Sequence, residues 1–328
     1  MSGKNSDAAG PAIFCIGEAL IDFIPAGLSP DGAPLLAPMP GGATANTAVA
    51  AAKLGARASF IGKVGDDGFG RLLIDTLAGY GVETGLMSMT RSACTTMAFV
   101  MLSPDGEREF TFARKPGADM MLSAEDIPGG FTGAGDMLHF GTLGLVPGAL
   151  SKEAHLKAIL AARAAGAVIS FDPNLRFPLW DSPEDLKATV LEHLPFAGIV
   201  KVSDDEIPFI FDTDEEKKAA TYCFSQGASV VFVTRGKNGA AVYTPSFSTE
   251  TEGLPVKAVD TTGAGDAFNG AMLSSFLGKP ILECLEPEAL AKTLHYANIA
   301  GGITVTRKGA MAGSPSPEEI EAYRGISK

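Results

Sequence analysis

The chain lacks most features that would mark it as secreted, metal-bound or nucleic-acid-binding. It has four cysteines in 328 residues. Cys15, Cys94, Cys223 and Cys284 share no C-x-x-C spacing, so the sequence offers neither a disulfide framework nor a patterned zinc site. Its four histidines form no H-E-x-x-H motif. Positive charge is in deficit: 26 Lys and Arg against 38 Asp and Glu, a net charge of −12. That balance argues against nucleic-acid or anionic-membrane partners, which need a basic surface. No apolar run is long enough to span a bilayer. Residues Met1 to Ala12 are polar and rich in Gly and Ala, without the apolar centre of a secretory signal, so a reducing cytoplasm is the expected location. Two nucleotide fingerprints are missing as well. No G-x-x-x-x-G-K-[ST] occurs, and the first strand candidate runs into Gly17-Glu18-Ala19-Leu20-Ile21-Asp22 instead of G-x-G-x-x-G.

With 46% hydrophobic residues, the chain can build a substantial core as one large α/β unit. Short apolar runs at Ile13–Ile16, Ala58–Ile61, Met137–Phe140, Val168–Phe171, Ile199–Val202, Val230–Val233 and Ala240–Tyr243 read as strands. Helical patterns fall at Thr44–Leu54, Phe69–Gly79, Lys152–Ala165, Asp185–His193, Glu215–Ser225, Asp266–Leu277 and Pro287–Gly301. This alternation predicts a doubly wound α/β fold, a mostly parallel sheet with helices on both faces. Ligands in such sheets sit at the carboxyl ends of the strands. One region departs from the pattern. Thr95–Leu102, Ser103-Pro104-Asp105-Gly106 and Glu107–Arg114 read as a β-hairpin, with Arg108, Phe110, Phe112 and Arg114 on one face. Pro34–Pro40 is a further extended piece able to join it.

The segment richest in chemistry is Asp260-Thr261-Thr262-Gly263-Ala264-Gly265-Asp266. An extended run from Pro255 to Val259 leads to a Gly-Ala-Gly turn, an aspartate, and a helix. Backbone N–H groups at a helix N-terminus favour an anion, and Asp266 sets a carboxylate beside them. The same pentapeptide occurs at Thr132-Gly133-Ala134-Gly135-Asp136. There it precedes a strand, so the anion argument fails and a plain turn is expected.

Other loops follow strand ends. Gly41-Gly42-Ala43-Thr44-Ala45-Asn46 opens a helix that closes near Gly55; paired glycines admit a close ligand, and Asn46 carries both a donor and an acceptor. Asp22 could accept bonds from vicinal hydroxyls. Asp172-Pro173-Asn174-Leu175-Arg176 offers a guanidinium able to clamp a sugar oxygen or a phosphate. Ser203-Asp204-Asp205-Glu206 has the form of a capping box; Glu206 could also hold magnesium through water. Thr234-Arg235-Gly236-Lys237-Asn238-Gly239 is either a phosphate-facing turn or a plain hairpin.

Together these segments resemble the PfkB, or ribokinase-like, carbohydrate kinases, from Ile13 to about Ser314. The signatures are Gly41–Asn46 with Gly55, and Asp260–Asp266. Gly17–Asp22, Asp105–Phe110 with Pro116–Asp119, and Asp172–Arg176 resemble the family's fructokinases. The resemblance implies a single α/β kinase domain over 1–328, with a β-lid from about 23–40 and 95–116 that often forms the dimer contact. It implies an ATP-dependent sugar kinase using Mg²⁺ and K⁺. Asp266 matches the general base, and Gly263, Ala264 and Gly265 match the anion hole. Asp22, Gly41, Gly42, Asn46, Phe112 and Arg176 match the sugar side. Lys201, Ser203, Thr234, Arg235, Gly236, Gly239, Gly265 and Asn298 match the ATP side. Glu206 matches a magnesium contact, and Asp260 and Thr262 match the K⁺ site. The family's Asn-x-x-Glu appears here as Ser203-x-x-Glu206, which removes an amide. Fructose is the preferred substrate. 2-Keto-3-deoxygluconate, ribose, an aminoimidazole riboside, and a non-catalytic binder on the same fold are the alternatives.

Overall fold

A computed structural model describes residues 10–102 and 108–326. In chain order the strands are β1 (Ile13–Ile16), β2 (Leu20–Leu28), β3 (Pro34–Gly41), β4 (Ala58–Gly65), β5 (Glu83–Thr90), β6 (Met97–Leu102), β7 (Arg108–Ala113), β8 (Met137–Phe140), β9 (Val168–Phe171), β10 (Ile199–Ser203), β11 (Val230–Thr234), β12 (Ala240–Tyr243) and β13 (Ser248–Thr251). Nine of them form one sheet in the order β13-β12-β11-β10-β9-β8-β1-β4-β5, and four form another in the order β3-β2-β6-β7. The nine-stranded sheet is parallel except at β12 and β13.

Burial on both faces explains why its strands are continuous apolar runs. Ile13 and Cys15 of β1 enter one core with the helices Ala43–Lys53, Gly68–Gly79, Ala264–Phe276 and Pro287–Thr304. Phe14 and Ile16 enter the other, with Ser151–Ala164, Pro183–His193 and Glu216–Ser225. The doubly wound reading of the sequence is thus correct. Among the described residues, no helix is long and apolar enough to cross a membrane.

Some expectations are corrected. At the end of the Pro255–Val259 run, Val259 N–H donates to the Val305 carbonyl. β5, β13 and the full length of β2 were not foreseen. The hairpin β6–β7 and the strand β3 lie where the sequence places them. Its turn, 103–107, lies outside the described residues, as do the side chains of Arg108 and Phe110. Arg114, assigned to the same hairpin face as Phe112, is buried. Its Nε and Nη2 donate to Asp119 Oδ2 at 2.8 and 2.5 Å, and Nη2 also donates to the Leu143 carbonyl at 2.6 Å. Thr96 donates to the other oxygen of Asp119. One carboxylate therefore ties down both chain ends of the β6–β7 hairpin.

The chain leaves β1 towards β4 and β5 on one side and towards β8 to β11 on the other. Loops at the carboxyl ends of β1 and β8 consequently part, and a crevice opens between them.

Candidate active site

The crevice is a cavity of about 450 Å³. Its walls include Glu18 after β1, Asp22 of β2, Leu143 after β8, Asp172, Asn174 and Arg176 after β9, and Lys201 of β10. Gly42, Ala43 and Asn46 contribute from a helix start, Phe112 from β7, and Thr261–Asp266 from the turn before the helix Ala264–Phe276.

Glycine permits the close contacts on the β1 side. Gly42 has φ 109°, and a Cβ there would lie 2.4 Å from the Glu18 carbonyl; an L-side chain is excluded on both counts. The helix Ala43–Lys53 therefore starts directly against the Gly17–Leu20 turn. Glu18 Oε1 accepts from Ala43 N at 2.6 Å and so caps that helix from a distant loop. Burial pushes the Glu18 carboxyl up to about 7. A Cβ on Gly41 would lie 2.2 Å from Asp22 Oδ2, so Gly41 makes the room that the Asp22 carboxylate occupies.

Helix packing brings the sequence-distant residues together. A Cβ on Gly270 would lie 2.5 Å from the Cβ of Ala50. The missing side chain lets the alanine-rich helix Ala43–Lys53 lie close against Ala264–Phe276. In that crossing Asn46 Nδ2 donates to Asp266 Oδ2 at 2.8 Å. Asn46 Oδ1 is buried without a partner among the described residues, an acceptor unspent beside the cavity.

Asp266 lies in the first helical turn. Gly263 before it is left-handed, with φ 80°, and a Cβ there would lie 2.3 Å from Ala310. The turn is thus shaped for glycine, and the first N–H groups of the helix face the cavity without intrahelical acceptors. Burial raises the Asp266 carboxyl to about 6; the Asn46 bond opposes that, and the Asp172 charge adds to it. Asp22 is also raised to about 6, by burial against the opposing pull of Arg176.

Beneath this turn lies a buried polar network that the sequence reading did not assemble. Asp172 Oδ2 accepts from Lys201 Nζ at 3.0 Å and from Asn269 Nδ2 at 2.8 Å. Asp172 Oδ1 accepts from Asn174 N at 3.1 Å. Burial alone would lower the Lys201 ammonium, but the charges of Asp172 and Glu206 hold it above the usual lysine range. Two signals were available: a lysine inside the otherwise apolar strand Ile199–Ser203, and Asn269 one helical turn beyond Asp266.

Other expected site residues lie outside the cavity wall. Glu206 is buried and accepts from Leu175 N at 2.8 Å and Ser203 N at 2.9 Å, so the glutamate half of the capping box forms. Thr234 to Gly239 link β11 to β12 as an antiparallel connection. Within it, Arg235 is paired with Glu216 at 2.6 Å and Glu250 at 2.7 Å. Asn298 Nδ2 donates to the Glu252 carbonyl at 2.8 Å. Asp260 accepts from Thr262 N and Gly309 N, both at 3.0 Å, and clasps two loops together.

The second Thr-Gly-Ala-Gly-Asp copy is a turn. Asp136 Oδ2 accepts from Gly133 N at 2.7 Å, Oδ1 accepts from Ala12 N at 2.8 Å, and β8 follows at once.

Among the described residues, no group of three or more His, Cys, Asp or Glu could hold a metal ion. Magnesium tends to keep its waters and to bind through few carboxylates. Each Glu206 oxygen retains a lone pair beyond its backbone bond, enough to accept from such a water. The loops clasped by Asp260 offer carboxylate and carbonyl oxygens, the donors that hard cations take.

Comparison with known proteins bears on this site. Residues 11–317 match the model of the pfkB family carbohydrate kinases. A probable fructokinase-4 of Arabidopsis thaliana is 40% identical over 326 residues, covering 98% of each chain. A fructokinase from Vibrio cholerae O395, solved with fructose, ADP and calcium, superposes with a TM-score of 0.87 at 34% identity, covering 95% of this chain and 98% of that one. A fructokinase from Xylella fastidiosa with bound ATP gives 0.88 at 32% identity, over 97% of this chain and 99% of that one.

Proposed function

The chain belongs to the pfkB family of carbohydrate kinases, and we propose that it transfers the γ-phosphate of ATP to the primary hydroxyl of fructose. The observation that carries this reading is the placement of Asp266 on the cavity wall, in the first turn of a helix whose opening residues Ala264 and Gly265 border the same space.

The sugar occupies the side walled by Asp22, Gly42, Asn46, Phe112 and Arg176, with Gly41 supporting Asp22. Asp22 and the free Oδ1 of Asn46 accept from hydroxyls, and Arg176 donates. Asp266, ionised above about pH 6, takes the proton of the attacking hydroxyl. The amides of Gly263, Ala264 and Gly265 face the charge on the group in flight, an arrangement that needs no reorganisation during reaction. A general base of this kind contributes about 10²–10⁴-fold.

ATP lies along the ends of β10 and β11, by Lys201 and Ser203, with the backbone of Thr234, Gly236 and Gly239 toward its phosphates and Asn298 toward the base. The Arg235 side chain, held by two glutamates, acts by fixing that loop. Magnesium, when bound, neutralises phosphate charge, and Glu206 would hold it through water. K⁺ would be held by Asp260, Thr262 and neighbouring backbone. The small sheet serves as a cover through Phe112 and as the contact between two copies.

A coupled ADP-release assay over fructose, ribose, 2-keto-3-deoxygluconate and an aminoimidazole riboside, with and without K⁺, tests the reading. Fructose is expected to give the highest kcat/KM. ADP release with none of these sugars would sink the proposal, and a higher value for another sugar would replace fructose.

A further inference from the structure

The helix Ala43–Lys53 carries Asn46, yet it has no cap of its own. Gly42 precedes it without a side chain, and no acidic residue lies in its first turn. Glu18 supplies what is missing. Its Oε1 accepts from Ala43 N at 2.6 Å, and its carbonyl accepts from Thr44 Oγ1 at 3.4 Å. Glu18 is only 2% exposed and borders the cavity. A carboxylate in this place meets the positive end of the helix dipole. Asn46 closes the first turn: its N–H donates to the Gly42 carbonyl at 2.8 Å. One turn further on, Ala50 lies against Gly270. The helix is thus fixed at its start by Glu18 and at Ala50 by its neighbour, and Asn46 lies between these two points. Asn46 spends Nδ2 on Asp266 and keeps Oδ1 without a partner among the described residues.

We propose that Glu18 is a positioning residue for the transfer: it holds the start of this helix so that Asn46 presents one amide atom to Asp266 and the other to the sugar. The inference deepens the kinase reading above and rests on it. Glu18 acts through Ala43 and a single helical turn. The first N–H groups of a helix have no intrahelical acceptors, so loss of the Ala43 bond frees that turn to fray. Asn46 then spends less time on the base and drifts from the sugar. Lys201, Ser203 and the Thr234–Gly239 loop belong to other elements and stay in place. The charges that face Glu18 are Arg114 and Asp119, and those that face Asp266 are Asp172, Lys201 and Arg176. A substitution at Glu18 removes none of them.

The test is log(kcat/KM) for the preferred sugar against pH, with KM for ATP measured beside it. Glu18→Met is expected to lower kcat/KM for the sugar about 10-fold near neutral pH and to raise the bend by roughly 0.5–1 pH unit, part of the worth of a bond to a charged group. KM for ATP should change less than about 2-fold, because the ATP side rests on other elements. Glu18→Gln keeps an acceptor for Ala43 N and cannot ionise. It should restore most of the loss and leave the bend near 6. In the Asn46→Leu background, Glu18→Met should shift the bend no further, since both act on one bond. Should Glu18→Met fail to fold, Glu18→Ala takes its place: cavity water can then accept from Ala43 N, and the same shift is expected at smaller size. An unmoved bend in the folded Met or Ala variant would overturn the inference. So would equal rises in KM for sugar and ATP, a further shift in the double variant, or a bend that falls in Glu18→Gln. Failure of the kinase reading is distinct from all of these: it would appear as absence of ADP release by the unaltered protein.

Discussion

Replacing Asn46 by leucine should move the acid limb of the pH–rate profile without abolishing the reaction. Asn46 Nδ2 donates to Asp266 Oδ2 at 2.8 Å, and the bond favours the ionised carboxylate. Leucine has the same branching and number of side-chain heavy atoms, and no donor. A hydrogen bond to a charged group contributes about 1.5–3 kcal/mol, and one pH unit corresponds to about 1.4 kcal/mol. Loss of the bond should therefore raise Asp266 from about 6 to roughly 7–8. At pH 7 the ionised fraction falls from about nine-tenths to between one-half and one-tenth. At pH 9 it returns almost fully. The assay is log(kcat/KM) for the sugar against pH at saturating ATP, which follows ionisation of the sugar-free enzyme. Weaker sugar binding by Asn46→Leu lowers the curve at every pH; only a changed Asp266 shifts the bend. Asp22, near 6, and Glu18, near 7, titrate in the same window. Asp22→Asn is the comparison: it should lower the curve and leave a limb in place. A bend that stays near pH 6 in Asn46→Leu would refute the coupling of Asn46 to the base.

Other outcomes follow from the same geometry. Asp266→Asn should lose turnover yet melt higher. Its folded pKa of about 6 exceeds the ordinary 3.8, so the ionised form opposes folding above pH 6 and the penalty fades as pH falls towards 4. The ceiling is about 3 kcal/mol, reduced by cavity water at the carboxylate edge, so thermal melts at pH 8 should gain roughly 1–3 kcal/mol and melts below pH 4 nothing. Asp136→Asn should leave kcat unaltered and cost about 1–2 kcal/mol in denaturant titration, since its carboxylate accepts from two backbone amides. Arg114→Met should destabilise by about 3–5 kcal/mol by stranding buried Asp119, and Arg114→Met/Asp119→Leu should recover much of that in the same titration. Bound sugar should slow hydrogen exchange in β6 and β7 if the small sheet covers the site.

Much of the fold was legible because fully buried strands and capped helices carry their own signals. β8, β9 and β12 end where their apolar runs end. β5, Glu-Thr-Gly-Leu-Met-Ser-Met-Thr, escaped notice because it is a half-exposed edge strand with glycine inside. β2 contains Pro25 and Gly27 and bends at an irregularity, features that oppose a strand reading until tertiary pairing overrides them. In the site, Asp22, Asn46, Arg176 and Asp266 were visible because each follows a strand end or opens a helix. Glu18, Asp172 and Asn269 were not singled out, because their significance lies in contacts across the chain: Glu18 to Ala43, and Asp172 to both Lys201 and Asn269. No local spacing encodes such contacts.

The dependence of the Gly263 turn on residues 305–310 has a consequence for the order in which the molecule matures. The last strand of the main sheet closes at Thr251, and one face of that sheet still waits for the helices Ala264–Phe276 and Pro287–Thr304. The Gly263 turn must wait. Val259 and Asp260 are anchored on the Val305 carbonyl, Asp260 accepts from Gly309, and Gly263 packs against Ala310. At translation rates of roughly 5–20 residues per second, that wait is on the order of several seconds. During it the sheet lacks the cover of one face and the Gly263 turn lacks its supports, so a chain stalled before Ala310 would keep that turn unformed.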